Sequence, residues 1–99
     1  MVRVIIERRP KKGKERELWA LLHELRREGL PQSGYISGET LVGHDDSSLW
    51  VVIATWLSIE HWQAWVNSAT RKKLIAKIEP LLATPAKTTV FEFLERLKG

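Results

Sequence analysis

The sequence predicts an α+β fold with the element order β-α-β-β-α-β, and three features carry that expectation. Val2, Val4 and Ile6 recur with period two at the start of the chain. Leu18, Leu21, Leu22 and Leu25 follow at the i, i+3, i+4, i+7 spacing of a helix that buries one stripe. After the turn-forming run Gly43-His44-Asp45-Asp46-Ser47, the segment Ser48 to Trp56 is apolar on both of its alternating faces.

The first strand is expected over Val2 to Arg9, and Pro10 to Gly13 forms the turn that ends it. The first helix runs to about Glu28, with Gly29 just past its end and Pro31 barring continuation. Tyr35 to Val42 reads as a second strand, where Ser37-Gly38 marks a bulge or a close backbone approach. Ser48 to Trp56 is the third strand. Ser58 caps a second helix that buries Ile59, Trp62, Trp65, Val66 and Ala69, with Glu60 complementing its dipole. Ser68 starts a further helical segment, with Leu74, Ile75, Ile78, Leu81 and Leu82 on one face, which Pro80 ends or kinks near Glu79. Lys87 to Leu94 is the fourth strand, with Phe91 and Phe93 on one face. This order is the split βαβ, or ferredoxin-like, plan: a four-stranded antiparallel sheet with helices on one face.

The third strand places Leu49, Val51, Ile53 and Thr55 on one side and Trp50, Val52, Ala54 and Trp56 on the other. A sheet with one wet face alternates apolar with polar, and this strand does not. Helices cover one face only. Leaving three or four large apolar side chains wet forfeits roughly 1.5 to 3 kcal/mol each, so a second copy of the same sheet is expected on the other face. The tail from Leu94 to Gly99 is too short and too charged to cover it.

Length and composition narrow the function. A chain of 99 residues is expected to form a single domain over residues 1–99. It has no cysteine, which excludes disulfides, thiolate metal sites and cysteine nucleophiles. The N-terminal segment reaches charge before it could form a signal-peptide core, and no apolar run approaches the ~20 residues of a membrane helix. A soluble, cytoplasmic protein without a membrane partner is therefore expected. The net charge of +4 includes two basic clusters, Arg8-Arg9-Pro10-Lys11-Lys12-Gly13-Lys14 and Arg71-Lys72-Lys73 with Lys77. Such clusters can attract anionic ligands or nucleic acid, but both read as solvated loop and helix faces. His44-Asp45-Asp46 reads as hairpin chemistry rather than a metal site, since three adjacent turn residues rarely converge on one ion. No phosphate-binding glycine loop, Ser-His-Asp arrangement or acid pair is present.

The stretch from Trp56 through Ser58, Glu60, Trp62 and Trp65 to Ser68 has the pattern W-x-S-x-E-x-(W/F)-x-x-W-x-x-S. Together with Pro10 to Gly13, Gly34 to Glu39, and the third-strand ending Val52 to Trp56, it resembles the antibiotic biosynthesis monooxygenase domain family, the dimeric α+β barrels. That resemblance spans nearly the whole chain. It implies a ferredoxin-like protomer, a homodimer joined through the sheet face, and a ligand pocket between sheet and helices. Some members are cofactor-free monooxygenases of aromatic polyketides or quinols; others degrade haem. The haem-degrading branch carries an Asn, a Trp and a His that fall here on Ile6, Trp65 and Ile75. Neither isoleucine can ligate iron, so a haem partner is not expected. Polyketide-oxidising members pair Asn and Trp four apart on the second helix, and His61 and Trp65 hold that spacing here.

These residues define the expected site. His61 is the candidate catalytic base, because a neutral imidazole accepts protons near neutral pH, and Trp65 is its catalytic neighbour one turn away. Trp62, Trp56, Trp19 and Tyr35 are the candidate substrate contacts, since flat rings stack on an aromatic ligand. Trp19, with His23 one turn on, is placed on the opposite wall of the same cavity, and His23 itself is expected in solvent. The activity implied is cofactor-independent monooxygenation of a hydroxylated aromatic or quinol-type small molecule, with no cofactor and no metal. The alternative is a non-catalytic ligand-binding or scaffold dimer of the same fold. Nucleic acid is not an expected partner: the RNA-recognition aromatics are missing from the first and third strands, and a dimer would bury the face that stacks bases.

Overall fold

The computed structural model describes residues 1–95. The expectation about the C-terminal tail falls partly on residues 96–99 and lies to that extent outside the described residues.

The expected order is found. Strand β1 spans Val2–Pro10, α1 Glu15–Gly29, β2 Tyr35–Val42, β3 Trp50–Trp56, α2 Ile59–Val66, α3 Ala69–Ile78 and β4 Leu82–Glu92, with a 3-10 turn at Glu79–Leu81 before β4. The sheet is antiparallel in the order β2-β3-β1-β4.

Period two decides which side chains face the helices. In β1, Val2, Val4, Ile6 and Arg8 are all buried on one side. Their register with Trp56, Ala54, Val52 and Trp50 of β3 brings those residues to the same face. Helix α1 covers this face with Leu18 and Leu22 buried, and α2 and α3 add Trp62, Trp65, Leu74 and Ile78. Ala69, expected in the core, is exposed. The outer face carries Ile5, Val51 and Ile53, half-buried, beside the exposed Leu41 and Phe91.

The two serines of the motif are helix caps. The Ser58 hydroxyl accepts from the backbone N–H of His61, and that of Ser68 from the N–H of Arg71. The Ser68 hydroxyl also donates to the Trp65 carbonyl at 2.7 Å, tying the end of α2 to the start of α3.

Several boundaries differ from expectation, and β1 runs through Pro10 while β4 ends at Glu92 rather than Leu94. Strand β4 begins at Leu82, five residues before Lys87, although Pro85 interrupts its pattern. The proline is tolerated because β4 is an edge strand and Pro85 sits at a register break, between Lys87 opposite Glu7 and Thr84 opposite Arg9. Strand β3 starts at Trp50 rather than Ser48, since Ser48 is held in the turn by Asp46. Gly29 is the last residue of α1 rather than the one beyond it. The positive-φ glycines are instead Gly13 and Gly34, at +88° and +85°. The expected irregularity in β2 is present as a register shift between Tyr35 and Ser37.

Candidate active site

A cavity of about 70 Å³ lies between the sheet and the helices. Its aromatic wall is Trp56, Trp62, Trp65 and Tyr35, and Ile6, Val52 and Leu22 complete the apolar lining. Trp56 is fixed at the end of β3 and is 2% exposed. Tyr35 meets it edge-on, with ring centroids 5.4 Å apart at 85°, and Trp62 lies tilted 6.0 Å away. Edge-to-face contacts of this kind favour a fixed aromatic arrangement.

Glycines set how closely the walls approach. Gly29 takes the Trp65 indole against its backbone: a Cβ there would lie 3.4 Å from the ring. A Cβ on Gly38 would stand 2.5 Å from the Tyr35 hydroxyl, so the close approach read from the sequence is real. Arg26 donates to the Gly38 carbonyl at 2.7 Å and closes the cavity on the α1 side.

Of the six residues expected at the site, Trp56, Trp62, Trp65 and Tyr35 come together. Two do not line the cavity. Trp19 is 59% exposed, stacked on His23 with centroids 5.3 Å apart, and borders a separate shallow depression. The reason is its helical position: the buried stripe runs through Leu18 and Leu22, and Trp19 is turned about 100° from Leu18. His61 is half-buried, but its ring packs on Gly34, outside the cavity lining. Its Nδ1 lies 2.7 Å from the Ser58 hydroxyl. That local bond turns the imidazole toward the cap while Trp65, one turn later, points into the cavity.

Two residues assigned to solvated basic clusters are in fact cavity residues. Arg8 is 3% exposed, and Arg71 is half-buried. Both line the aromatic cavity and also a larger neighbouring one of about 440 Å³. The Arg71 guanidinium lies 5.1 Å over the Trp62 ring. Burial, and secondarily the charge of Arg71, lower the Arg8 pKa to about 10, well below the usual arginine range; burial also lowers that of Arg71. A signal for both was present in the sequence. Arg8 continues the inward series Val2, Val4, Ile6, and Arg71 leads the stripe Leu74, Ile75, Ile78 by three, four and seven.

The remaining candidates are surface features. His44 and Asp45 are fully exposed, and Asp46 belongs to the hairpin: it accepts from Ser48 and pairs with Arg9 at 2.9 Å. Among the described residues, no three His, Cys, Asp or Glu side chains group as metal ligands.

The family model for antibiotic biosynthesis monooxygenases matches residues 1–77. The chain belongs to the antibiotic biosynthesis monooxygenase family. Among curated proteins, none matches it. Solved structures of the same fold include a conserved protein from Methanosarcina mazei Go1, with a TM-score of 0.88 at 16% identity over 92% of this chain and 90% of that one. Rv0793 from Mycobacterium tuberculosis gives 0.86 at 22% identity, covering 93% of both chains. SnoaB, a cofactor-independent oxygenase from Streptomyces nogalater, gives 0.80 at 14% identity over 93% of this chain and 92% of that one. At such identities the likeness is one of fold. The motif that suggested the monooxygenase family lies wholly within the matched residues, and its serines and tryptophans are the caps and cavity walls just described. As for the membrane, no helix among the described residues is long and apolar enough to cross one.

Proposed function

We propose that this protein is a cofactor-independent monooxygenase of a hydroxylated aromatic or quinol-type small molecule, working as a homodimer. The observation that carries the reading is the cavity walled by Trp56, Trp62, Trp65 and Tyr35 between sheet and helices. Such walls hold the edge of a flat ring and keep water from it.

The chemistry asks little more of the protein. A carbon bearing two hydrogens, the methylene of an anthrone or of a quinol in its keto form, loses a proton to water and leaves a delocalised anion. That anion passes one electron to dioxygen, and the resulting radical and superoxide join in a C–O bond. The peroxide takes up a proton and then loses water, leaving a carbonyl. One oxygen atom stays in the product, and the other leaves as water with two hydrogens. Trp65, held on Gly29, together with Trp56, Trp62 and Tyr35, is the proposed contact for the edge of the reacting ring. His61 is left out of the reacting set and assigned to the fold of the Gly34 turn.

The homodimer is supported by the outer sheet face. Ile5, Val51, Ile53, Leu41 and Phe91 form an apolar surface with Arg3, Glu7, Glu39 and Lys87 among them, charges of both signs that suit a two-fold partner.

The test is oxygen uptake with ¹⁸O₂ on anthrone-type and quinol-type substrates. One O₂ consumed per substrate, with one labelled atom in the product, is expected. No uptake, or stoichiometric release of hydrogen peroxide, would overturn the reading.

A further inference from the structure

Three buried side-chain polar atoms among the described residues lack a hydrogen-bond partner: Arg8 Nε, Trp56 Nε1 and Arg71 Nε. All three belong to residues lining the aromatic cavity, and all three are donors. Buried polar groups are nearly always paired, so three orphans of one polarity at one site point to a ligand that accepts.

Charge points the same way. Arg8 and Arg71 repel each other and form no ion pair among the described residues. The carboxylates that line either cavity reduce to one, Glu79, which is exposed and borders the larger cavity alone. A buried cation beside a half-buried one, without a counter-charge, is costly to fold around. An anion bound between them would remove that cost.

Size and placement complete the argument. The aromatic cavity, about 70 Å³, is smaller than the ~150 Å³ that takes up a benzene ring. The neighbouring cavity, about 440 Å³, falls within the ~300 to 1,000 Å³ of small-molecule sites. Ile6, Arg8 and Arg71 line both. Trp62 holds the Arg71 guanidinium in place, so its planar fork is set before a ligand arrives.

We infer that Arg8 and Arg71 form an anion subsite at the junction of the two cavities, and that the ligand is an aromatic carboxylate or an equivalent delocalised oxyanion. The charged oxygens meet the two guanidinium groups. The body of the ligand fills the larger cavity, and a ring edge enters the tryptophan-lined end. This assignment rests on reading the cavity as the substrate site. It adds that the substrate is held by a negative charge it carries before the C–H proton is lost, separate from the delocalised anion that passes an electron to oxygen.

Calorimetry with naphthalene-2-carboxylate and its neutral amide tests this without turnover. The carboxylate is expected to bind at least about tenfold more tightly at low salt, as charge-assisted hydrogen bonds imply. Added salt should narrow the gap, and Arg71→Met and Arg8→Met should each abolish it. Equal binding of the two arenes would overturn the anion subsite and leave the aromatic site standing. Binding of neither would overturn both. Should the variants fail to fold, the wild-type comparison decides alone.

Discussion

The imidazole of His61 packs directly on Gly34, and the Ser58 hydroxyl, 2.7 Å from Nδ1, holds it there. The histidine at family spacing from Trp65 thus faces the turn and lies outside the cavity that Trp65 lines.

Gly34 should accordingly tolerate no side chain. Its φ of +85° costs an L-residue about 1 to 2 kcal/mol, and an added methyl would also collide with His61. Gly34→Ala is expected to lower stability by more than that backbone term in urea unfolding. His61→Ala in the same chain should recover only a fraction of the loss, since the His61 Cβ itself would stand 2.5 Å from the new methyl. A Gly34→Ala protein as stable as the parent would contradict the packing.

His61→Ala should leave binding and turnover of an aromatic substrate nearly unchanged, whereas Trp65→Phe should lower kcat/KM clearly. A general base at His61 would show as a loss of about 100-fold or more. Steady-state oxygen uptake distinguishes the two cases, and a large loss in His61→Ala would return the histidine to the mechanism.

Arg8→Met should make the unliganded protein more stable, by about 1 to 3 kcal/mol, because it removes a buried charge without a counter-ion. The sign with pH follows from the value of about 10, lowered from the usual arginine range. The folded state sheds the proton first, so above about 10 the unfolded state binds more protons and wild-type stability rises with pH. Below about 10 the penalty is present in full, and the gap between wild type and Arg8→Met is widest. Urea midpoints at neutral pH and near pH 11 measure it. A less stable Arg8→Met protein would mean the guanidinium is satisfied.

The outer sheet face should hold two protomers together. Ile53→Glu places a charge in the middle strands, where Ile5 and Glu39 are its register partners. Sedimentation equilibrium is expected to give a dimer for the wild type and a monomer or unfolded chain for Ile53→Glu. A stable wild-type monomer at micromolar concentration would contradict the proposed assembly.

The fold was legible because its signals are local. Period two in Val2, Val4 and Ile6, the leucine stripe of the first helix, and the capping serines 58 and 68 each act within one or two turns of chain. The aromatic wall was legible for the same reason, since Trp62 and Trp65 share the buried stripe of α2. Trp19 stands beside the buried stripe of Leu18 and Leu22 rather than on it, and its aromatic character alone does not show this. His61 was misplaced because a hydrogen bond three residues back turned its ring. Arg8 and Arg71 were missed because a run of basic residues reads as surface, although their periods already marked them as inward. What no period reveals is that β1 and α3 bring these two charges to one cavity.

A crystal structure of the protein with naphthalene-2-carboxylate bears most directly on the functional account. The ring is expected to lie in the larger cavity with its edge toward Trp56 and Trp62, and both carboxylate oxygens within hydrogen-bond distance of Arg8 and Arg71. A ligand bound elsewhere, or a carboxylate turned away from both guanidinium groups, would contradict it.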